Sequence, residues 1–596
     1  MNILLTAINA KYIHSNLAVY SLRACAGEYR DTVELAEYTI NNQKDYILEE
    51  LYKRKPDVLC FSCYIWNIDY VTDIAREYKK LCPSVPIWVG GPEVSYEVEA
   101  FLRENPYIDG VMIGEGEDTF RELCGYYAHK RELSDIAGIA FRKNSTDGKA
   151  GEIVFTSPRP IKNMSEIPFC YDTLDDFSNR IIYYESSRGC PFSCSYCLSS
   201  VDKTLRFRDT EIVKRELKFF IDQKVPQIKF VDRTFNCNHA HAMELWRFIK
   251  ANDNGVTNFH FEISADLLNQ EELELISDMR PGLIQLEIGV QSTNEVTIKE
   301  IHRTMKLERL KEVVRLIQSG NNIHEHLDLI AGLPYEDYDS FGRSFDEIYE
   351  LKPNQLQLGF LKVLKGSYMF EHAAEYGIVY HDKPPYEVMS TKWLSFDDVI
   401  KIKRVEEMLE VYYNSGQFEI TMKLMECIFD SAFEFFQELG DFYEANGYFG
   451  MSHSRIRRCE ILLEFLDLYL HGCDSDDMTS VGLSENAGDR DNTDFDENAQ
   501  LYNMIQESLI FDLYYRENCK SRPVWATDIG SFKHMTHAYC KNGKLSHVEP
   551  FHYIFPDKHT RKLDELPKYH KEPVWALFHY DMRDPLDHQA MVEYVE

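Results

Sequence analysis

Across its 596 residues the chain has no apolar run of the roughly 18–20 residues that a bilayer-spanning helix requires, so no membrane association is expected. Its opening, Met1-Asn2-Ile3-Leu4-Leu5-Thr6, lacks the basic n-region and small-residue cleavage site of an export signal and reads as a β-strand. A cytoplasmic protein is the expectation. Positive charge is scarce as well: 65 Lys and Arg stand against 98 Asp and Glu, a formal charge of −33. Broad binding to phosphate backbones needs the opposite sign, so nucleic acid is not an expected partner. The first strand is not followed by G-x-G-x-x-G, which weakens a dinucleotide reading. No internal repeat is evident.

Apolar side chains are plentiful at 44%, with 13% aromatic, enough for several buried cores. Residues 1–135 alternate apolar strands with amphipathic helices. The strand runs are Ile3–Ala7, Val33–Glu37, Val58–Ser62, Ile87–Gly91 and Gly110–Gly114, with helical patterns near 16–29, 44–54, 67–81, 95–104 and 117–129. That alternation predicts an α/β, doubly wound, Rossmann-like domain on a parallel sheet. Residues 136–180 read as a linker with a small hairpin, its turn at Asn144–Gly148. From 181 to 380 six strand candidates alternate with helices: Ile181–Glu185, Gln227–Val231, His260–Ile263, Leu283–Ile288, Glu325–Ile330 and Gln355–Lys362. They fit a partial (β/α)6, TIM-like barrel. Residues 381–596 read as a helix-rich α+β domain, opening on a helix with Asp397 and Asp398 in its first turn. Within it, 474–497 carries nine acidic residues against one Arg and reads as a flexible acidic loop. A helix near 500–517 and strands around an Asn542-Gly543 hairpin turn complete it.

Fifteen cysteines without an export signal point to thiol or metal chemistry rather than disulfides. Cys25, Cys82, Cys124, Cys427, Cys459 and Cys519 stand alone and read as small buried hydrophobes. Cys190, Cys194 and Cys197 differ. In Ser187-Arg188-Gly189-Cys190-Pro191-Phe192-Ser193-Cys194-Ser195-Tyr196-Cys197 they are spaced C-x3-C-x2-C on a loop directly after the first strand of the second βα series. Thiolates are soft ligands suited to iron–sulfur clusters, and three of them on four irons leave one iron open. The competing reading is a zinc loop completed by a fourth ligand, for which Cys170 or Cys237 is available.

This segment resembles the C-x3-C-x-aromatic-C motif of the radical S-adenosylmethionine (SAM) superfamily. The resemblance implies that Cys190, Cys194 and Cys197 hold a [4Fe–4S] cluster whose open iron chelates SAM. One electron would then cleave the sulfonium to methionine and a 5′-deoxyadenosyl radical, with Tyr196 beside the adenine. Further similarity runs along the strand ends. Asp232 closes the second strand, where relatives hold the methionine amino group. Glu262 and Ser264 end the third and are candidates for the ribose or carboxylate, although many relatives carry an arginine near Ser264. Glu287-Ile288-Gly289-Val290-Gln291-Ser292 resembles the fourth-strand motif, with Gln291 near the cofactor. Asp328–Pro334 resembles the fifth, with Gly332 turning the chain beside the adenine, and Leu358–Gly366 matches the sixth. Arg206 and Arg208 fit a recurrent family segment; solvated surface is their alternative.

A doubly wound domain binds ligands at the carboxyl ends of its strands. Those ends here are Asn9–Tyr12, Cys63-Tyr64-Ile65-Trp66-Asn67, Gly90-Gly91-Pro92-Glu93 and Gly114-Glu115-Gly116-Glu117. The pattern G-G-P, then G-E-G-E about twenty residues on, ahead of such a barrel, resembles the cobalamin-binding radical SAM enzymes. It implies cobalamin contacts at Tyr64, Trp66, Asn67, Gly90, Gly91, Pro92, Gly114, Glu115 and Gly116. The D-x-H-x-x-G motif that supplies histidine to cobalt is absent, which implies that no domain histidine need ligate it. His14 reads as a solvated residue at a helix start, and Cys60 as core.

The resemblance implies a cobalamin-dependent methyltransferase acting on an unactivated carbon or phosphorus centre of a small-molecule or peptide substrate, reduced by a flavodoxin or ferredoxin. Alternatives with the same cofactors are a radical SAM cyclase, oxidase or rearrangement enzyme. From another class, a non-catalytic cobalamin- or redox-responsive binding protein is the rival. In the C-terminal third, His534, His537, Tyr539 and Cys540, with His547, His552 and His579, are weak metal-ligand candidates, and a cover over the barrel mouth is the alternative role for that region.

Overall fold

The computed structural model describes residues 1–143, 151–177, 179–472, 492–540, 545–556, 560, 562–563 and 565–595. The turn expected at Asn144–Gly148, residues 474–491 of the acidic segment and the Asn542-Gly543 turn fall outside the described residues; the end of that segment, Asn492 to Glu497, is helical rather than the expected loop. Two compact units divide the chain: residues 1–323, 330–336 and 359–395 form the first, and 324–329, 337–358 and 396–596 the second. Among the described residues no helix is long and apolar enough to cross a membrane.

The first unit opens on a seven-stranded sheet of β1 (Ile3–Asn9), β2 (Val33–Thr39), β3 (Val58–Ser62), β4 (Ile87–Gly90), β5 (Gly110–Met112), β6 (Ile139–Arg142) and β7 (Ile153–Phe155), ordered β2-β1-β3-β4-β5-β6-β7. β1 to β5 pair in parallel, while β6 and β7 are antiparallel. The expected linker hairpin is therefore an extension of this sheet: Ile139–Phe141 face Met112–Gly110 and gain a ladder that a free hairpin lacks. Between the parallel strands run α1 (Leu17–Cys25), α2 (Lys44–Arg54), α3 (Ile68–Leu81), α4 (Val98–Glu104) and α5 (Glu117–Tyr127). Helix α3 shows why the pattern was readable. Val71, Ile74, Ala75 and Tyr78 recur at helical spacing and are buried with Leu59, Phe61 and Val89. Each fully buried large apolar side chain contributes about 1.5–3 kcal/mol. The strand order reverses between β1 and β3, and the crevice at their carboxyl ends is where a doubly wound sheet takes its ligand.

The second βα series starts with β8 (Ile182–Tyr184). A two-residue ladder of β9 (Ser187–Arg188) and β10 (Arg206–Phe207) follows, then α6 (Thr210–Asp222), β11 (Gln227–Phe230), α7 (His239–Ala251), β12 (Asn258–Ile263), α8 (Gln270–Ser277) and β13 (Ile284–Gln291). β8, β11, β12 and β13 are parallel neighbours in that order. Asp209 caps α6 through the amides of Glu211 and Ile212, and Asn269 with Glu272 forms a capping box on α8. After α9 (Glu295–Glu300) and α10 (Leu307–Ser319), strand β14 (His324–Ala331), helix α11 (Tyr338–Tyr349) and strand β15 (Gln355–Phe360) continue the alternation, with β14 and β15 side by side. The short α12 (Tyr368–His372) and the β16–β17 ladder (Val379–Tyr380, Val388–Ser390) end the first unit.

The second unit is built on α13 (Phe396–Leu409), α14 (Glu419–Met425), α15 (Ala432–Ala445), α16 (Arg455–His471), α17 (Asn492–Arg516) and α18 (Lys533–Tyr539). An antiparallel sheet of β18 (Ser546–Tyr553), β19 (Tyr569–Arg583) and β20 (Ala590–Val595) completes it. Asp346 holds the start of α15 through Ser431 Oγ and the Phe433 amide. Phe511 of α17 packs among Phe551, Phe555 and Phe578. The strand expected just before the Asn542-Gly543 turn is corrected. The residues before it form α18, and β18 pairs with β19 instead, because the partly buried Trp575 and the buried Leu577 of β19 cover Met535 and Val548.

Candidate functional site: a cysteine loop beside a glycine-lined crevice

The cysteine loop leaves β9 through Gly189, whose φ is +86° and where a Cβ would lie 2.6 Å from the Thr204 carbonyl oxygen. Only glycine fits that turn without displacing backbone. Cys190 and Cys194 are buried and Cys197 half-buried. The Cys190 amide donates to Asp202 O, Ser195 N to Ile301 O, and Cys197 N to Cys194 O, so three backbone hydrogen bonds shape the loop before any ligand arrives. Burial pushes the Cys190 thiol up, and a hydrogen bond with Thr234 opposes this. A metal that displaces the proton reverses that balance.

Arg303, which sequence reading missed, lies against this loop. Its Nη1 donates to Cys194 Sγ at 3.8 Å and to Tyr196 Oη at 3.2 Å, and Nη2 donates to the Gly289 carbonyl. Nε is buried without a hydrogen-bond partner. The signal for it was weak: a lone basic residue just past a short helix. Arg303 is delivered from the segment after α9.

The other strand-end residues divide into two sets. Asp232 is 1% exposed, and its oxygens accept from Ser186 N, Ser186 Oγ and Ser187 Oγ at 2.5–2.9 Å. It braces the residues that lead into the cysteine loop. Burial raises it to about 7, although the serine donors pull the other way. His241 Nε2 lies 3.0 Å from Ser186 Oγ, and burial lowers this imidazole to about 4. Ser264 Oγ donates to Asp266, and its backbone is clasped by Asn236. Gln291 adopts φ +78° and folds its amide toward Gly289. Such a conformation costs a non-glycine residue energy that functional sites commonly store. Gly332 packs against Val388. Glu262 faces the charged interior and is raised by burial and by the nearby Glu287 charge, with Arg233 and Lys229 opposing. Glu287, burial notwithstanding, is held down at about 2 by His260 and Lys229 at 2.8 and 2.9 Å.

The buried His241 makes a pH prediction. Its folded value lies below the unfolded one, so its neutral form stabilises the fold above about 6.5, and that contribution is lost as pH falls toward about 4. A His241→Gln variant, which cannot titrate, is expected to gain stability on the parent through this window, at most on the order of 1 kcal/mol per pH unit. Urea midpoints of the cluster-free proteins measured from pH 7 to 4 check this; a constant difference refutes it.

In the first domain the loop after β3 is braced rather than open. Asn67 is fully buried; its amide donates to Ile8 O and Ser62 O, and its oxygen accepts from Tyr64 N. Trp66 Nε1 also donates to Ile8 O, and its ring stacks on Tyr64 with centroids 4.4 Å apart. Gly91 has φ +118°, and a Cβ there would sit 2.4 Å from Cys63 O. Gly114, at φ +74°, faces open space. The Glu115 carboxylate accepts from Arg206 Nη1 at 2.5 Å and from the Lys162 amide at 3.0 Å. Arg208 pairs with Glu216 in the interior, so neither arginine is solvated surface. His14 is half-buried, and its Nδ1 lies 2.6 Å from Tyr183 Oη of the barrel series. Cys60 and Cys63 are both buried.

One cavity of about 620 Å³ is bounded by Tyr64, Gly90, Gly91, Pro92 and Gly114–Glu117 on one side. On the other it is bounded by Arg188, Gly189, Leu198 and Arg233, which flank the cysteine loop and the second barrel strand. A ligand seated on the glycines would share this cavity with the two ends of the cysteine loop, Gly189 and Leu198.

In the second unit the histidines have local partners: His547 pairs with Glu549, His552 with Glu507 and His579 with Glu593, while His534 lies edge-on to Trp575. Among the described residues no three His, Cys, Asp or Glu side chains gather around a single-ion position.

Comparison with known proteins accords with this geometry. A B12-binding domain model matches residues 3–124, a radical SAM superfamily model matches 184–348, and a model for a protein of unknown function (DUF4080) matches 374–591. The chain is 28% identical over 312 residues to the 2-(S-pantetheinyl)-carbapenam-3-carboxylate methyltransferase of Streptantibioticus cattleyicolor, covering 50% of this chain and 45% of that one. It is 27% identical over 345 residues to the cobalamin-dependent radical SAM methyltransferase TokK of Streptomyces tokunonensis, covering 55% and 49%. The chain thus spans about half the length of these curated relatives. The cobalamin-dependent SAM radical enzyme OxsB, solved with aqua-cobalamin and SAM, aligns at a TM-score of 0.57 and 16% identity, over 86% of this chain and 80% of that one, and shows the same fold. The chain thus carries a B12-binding domain followed by a radical SAM domain, on the fold of a solved cobalamin-dependent SAM radical enzyme.

Proposed function

We propose that this protein is a cobalamin-dependent radical SAM methyltransferase acting on an unactivated carbon or phosphorus centre of a small-molecule or peptide substrate. The observation that carries the reading is the shared cavity, with the glycine-lined crevice on one wall and the approach to the three-cysteine loop on the other. The donor set fits the implied groups. Three thiols on one loop can ligate three irons of a [4Fe–4S] cluster and leave the fourth for SAM. The bare backbone at Gly91 and Gly114 admits a bulky planar ligand such as cobalamin where any Cβ would intrude or strain the chain.

When bound, the cluster supplies the electron that cleaves SAM, and cobalamin carries the methyl group. The chain's own residues bind, orient and exclude water. Cys190, Cys194 and Cys197 hold the cluster, and Asp232 fixes the backbone that presents them. Arg303, with its unsatisfied Nε, offers a cation for a carboxylate beside Cys194. Tyr196, Glu262, Ser264, Gln291 and Gly332 line the SAM side, and Tyr64, Trp66, Asn67, Gly90, Gly91, Pro92, Gly114, Glu115 and Gly116 shape the cobalamin side. An open cluster and unpaired thiols suit the reducing cytoplasm, where a flavodoxin- or ferredoxin-class protein would serve as reductant.

The test is an anaerobic incubation of reconstituted protein with hydroxocobalamin, reductant and SAM. S-adenosylhomocysteine together with 5′-deoxyadenosine is the expected outcome. Deoxyadenosine alone would turn the reading to a cyclase, oxidase or rearrangement enzyme, and neither product would favour a non-catalytic binder.

A further inference from the structure

Between the two loops stands a network of charge that neither cofactor accounts for. Arg188, two residues before Cys190, donates through Nε to both oxygens of Glu185 at 2.9 Å and through Nη2 to Glu117 Oε1 at 2.5 Å, with Nη1 3.4 Å from Glu115. Arg206 faces Arg188 across the β9–β10 ladder and also takes Glu115 at 2.5 Å, while its Nη2 holds Asp202 at 2.7 Å. Glu115 and Glu117 belong to the G-E-G-E loop of the cobalamin domain; Arg188 and Arg206 form the base of the cluster loop. The Arg188 and Glu117 side chains are only 18% and 6% exposed, so this pair is not screened as a surface pair would be.

The loop that receives this network is rich in glycine. Gly114 and Gly116 flank Glu115, and glycines lose more chain freedom on ordering than any other residue. Local bonds hold its backbone, Ser95 Oγ to the Gly114 amide, Thr119 Oγ1 to Glu115 O and Phe120 N to Gly116 O, while its tie to the cysteine loop is the Glu115 carboxylate, gripped by Arg206 and Arg188 and also accepting from the Lys162 amide. Ligation of Cys190 would fix the backbone two residues beyond Arg188. Ordering the arginines in advance lowers the entropy that the glycine loop must lose on binding, and the same saving runs in reverse.

We propose that Arg188 is a positioning residue that couples the two cofactor sites, holding Glu117 and Glu115 on the ladder that leads into Cys190 so that cluster assembly and cobalamin binding favour each other. This rests on the function proposed above. Arg188 touches neither reacting atom; it acts through the two loops.

Hydroxocobalamin is titrated by visible absorbance into the anaerobic full-length chain, with the cluster reconstituted and with iron withheld. The cluster-loaded parent is expected to bind about tenfold more tightly. Retention of iron against a chelator should rise by a like factor when hydroxocobalamin is present, as reciprocity demands. Arg188→Gln is expected to bring both ratios to about one while each group still binds alone. Glu117→Gln cuts the same link from the other side, which keeps the idea testable should the arginine variant fold poorly, and the double variant should add nothing further. Equal cobalamin affinity with and without iron in the parent overturns the coupling, as does a tenfold ratio that survives in both variants. No hydroxocobalamin binding in either state overturns the cobalamin reading itself, and the coupling with it.

Discussion

Cys194→Ala is expected to abolish the iron–sulfur absorbance and reduce 5′-deoxyadenosine to background while leaving the fold in place. The asymmetry follows from what the side chain does. As a buried thiol of small volume, Cys194 costs the apo-protein about 1 kcal/mol when truncated. As one of three cluster ligands it has no replacement at its own position, since the described residues place no further cysteine on this loop. Circular dichroism should therefore match the parent, and hydroxocobalamin should still bind. Arg303→Met is the graded comparison. It leaves the three thiols and removes the donors to Cys194 Sγ and Tyr196 Oη, so the cluster should form with cleavage lowered about 10- to 100-fold, the usual scale for groups that support a metal's own ligands. Undiminished deoxyadenosine from the alanine variant would remove the cysteine loop from the chemistry altogether.

Much of this molecule is legible in its residues alone, and the reasons are specific. The central strands β1 and β3 are buried along their whole length and nearly continuous in apolar residues, so they lie where the sequence pattern placed them. Helix α2 runs over the same residues as its pattern, Lys44–Arg54, because Ile47 and Leu51 recur at a helical interval. The cysteine triad stands out because three soft ligands crowded onto one short loop suit a metal centre far better than a packed core. What escaped was long-range. Nothing local marks Arg303 as a neighbour of Cys194, 109 positions away. The pairing of Arg206 with Glu115, 91 positions apart, is equally silent in a sequence, where a basic residue on a short strand reads as surface. The same blindness made a free hairpin of β6 and β7, whose alternation specifies strands but not the sheet they join. The strand expected before Asn542-Gly543 is absent because Lys533–Tyr539 pack as a helix with Met535 in the core formed with Val548 and Leu577, and tertiary burial outweighed the local strand reading.

The crevice makes a second demand that glycine chemistry can isolate. At Gly91 an alanine Cβ would meet the Cys63 carbonyl oxygen at 2.4 Å, and φ +118° lies where L-residues rarely go. Either the turn after β4 or the brace after β3 must move, at a cost of about 1–3 kcal/mol in strain alone. The Cys63 amide donates to Gly90 O in the same place, so a shift at Gly91 also disturbs the ladder between the two loops. Gly91→Ala is therefore expected to raise the dissociation constant for hydroxocobalamin about 100-fold, equivalent to about 3 kcal/mol. Gly114→Ala is the control that separates crowding from backbone preference. Its Cβ meets nothing within 4 Å, and only its φ of +74° is unfavourable, so the loss should stay near 1 kcal/mol, or less than about tenfold. Titration by visible absorbance, with urea unfolding run in parallel, distinguishes weakened binding from a weakened domain. Equal affinities for parent and Gly91→Ala would mean that the ligand does not approach the backbone there, and the crevice would lose its claim to the corrin.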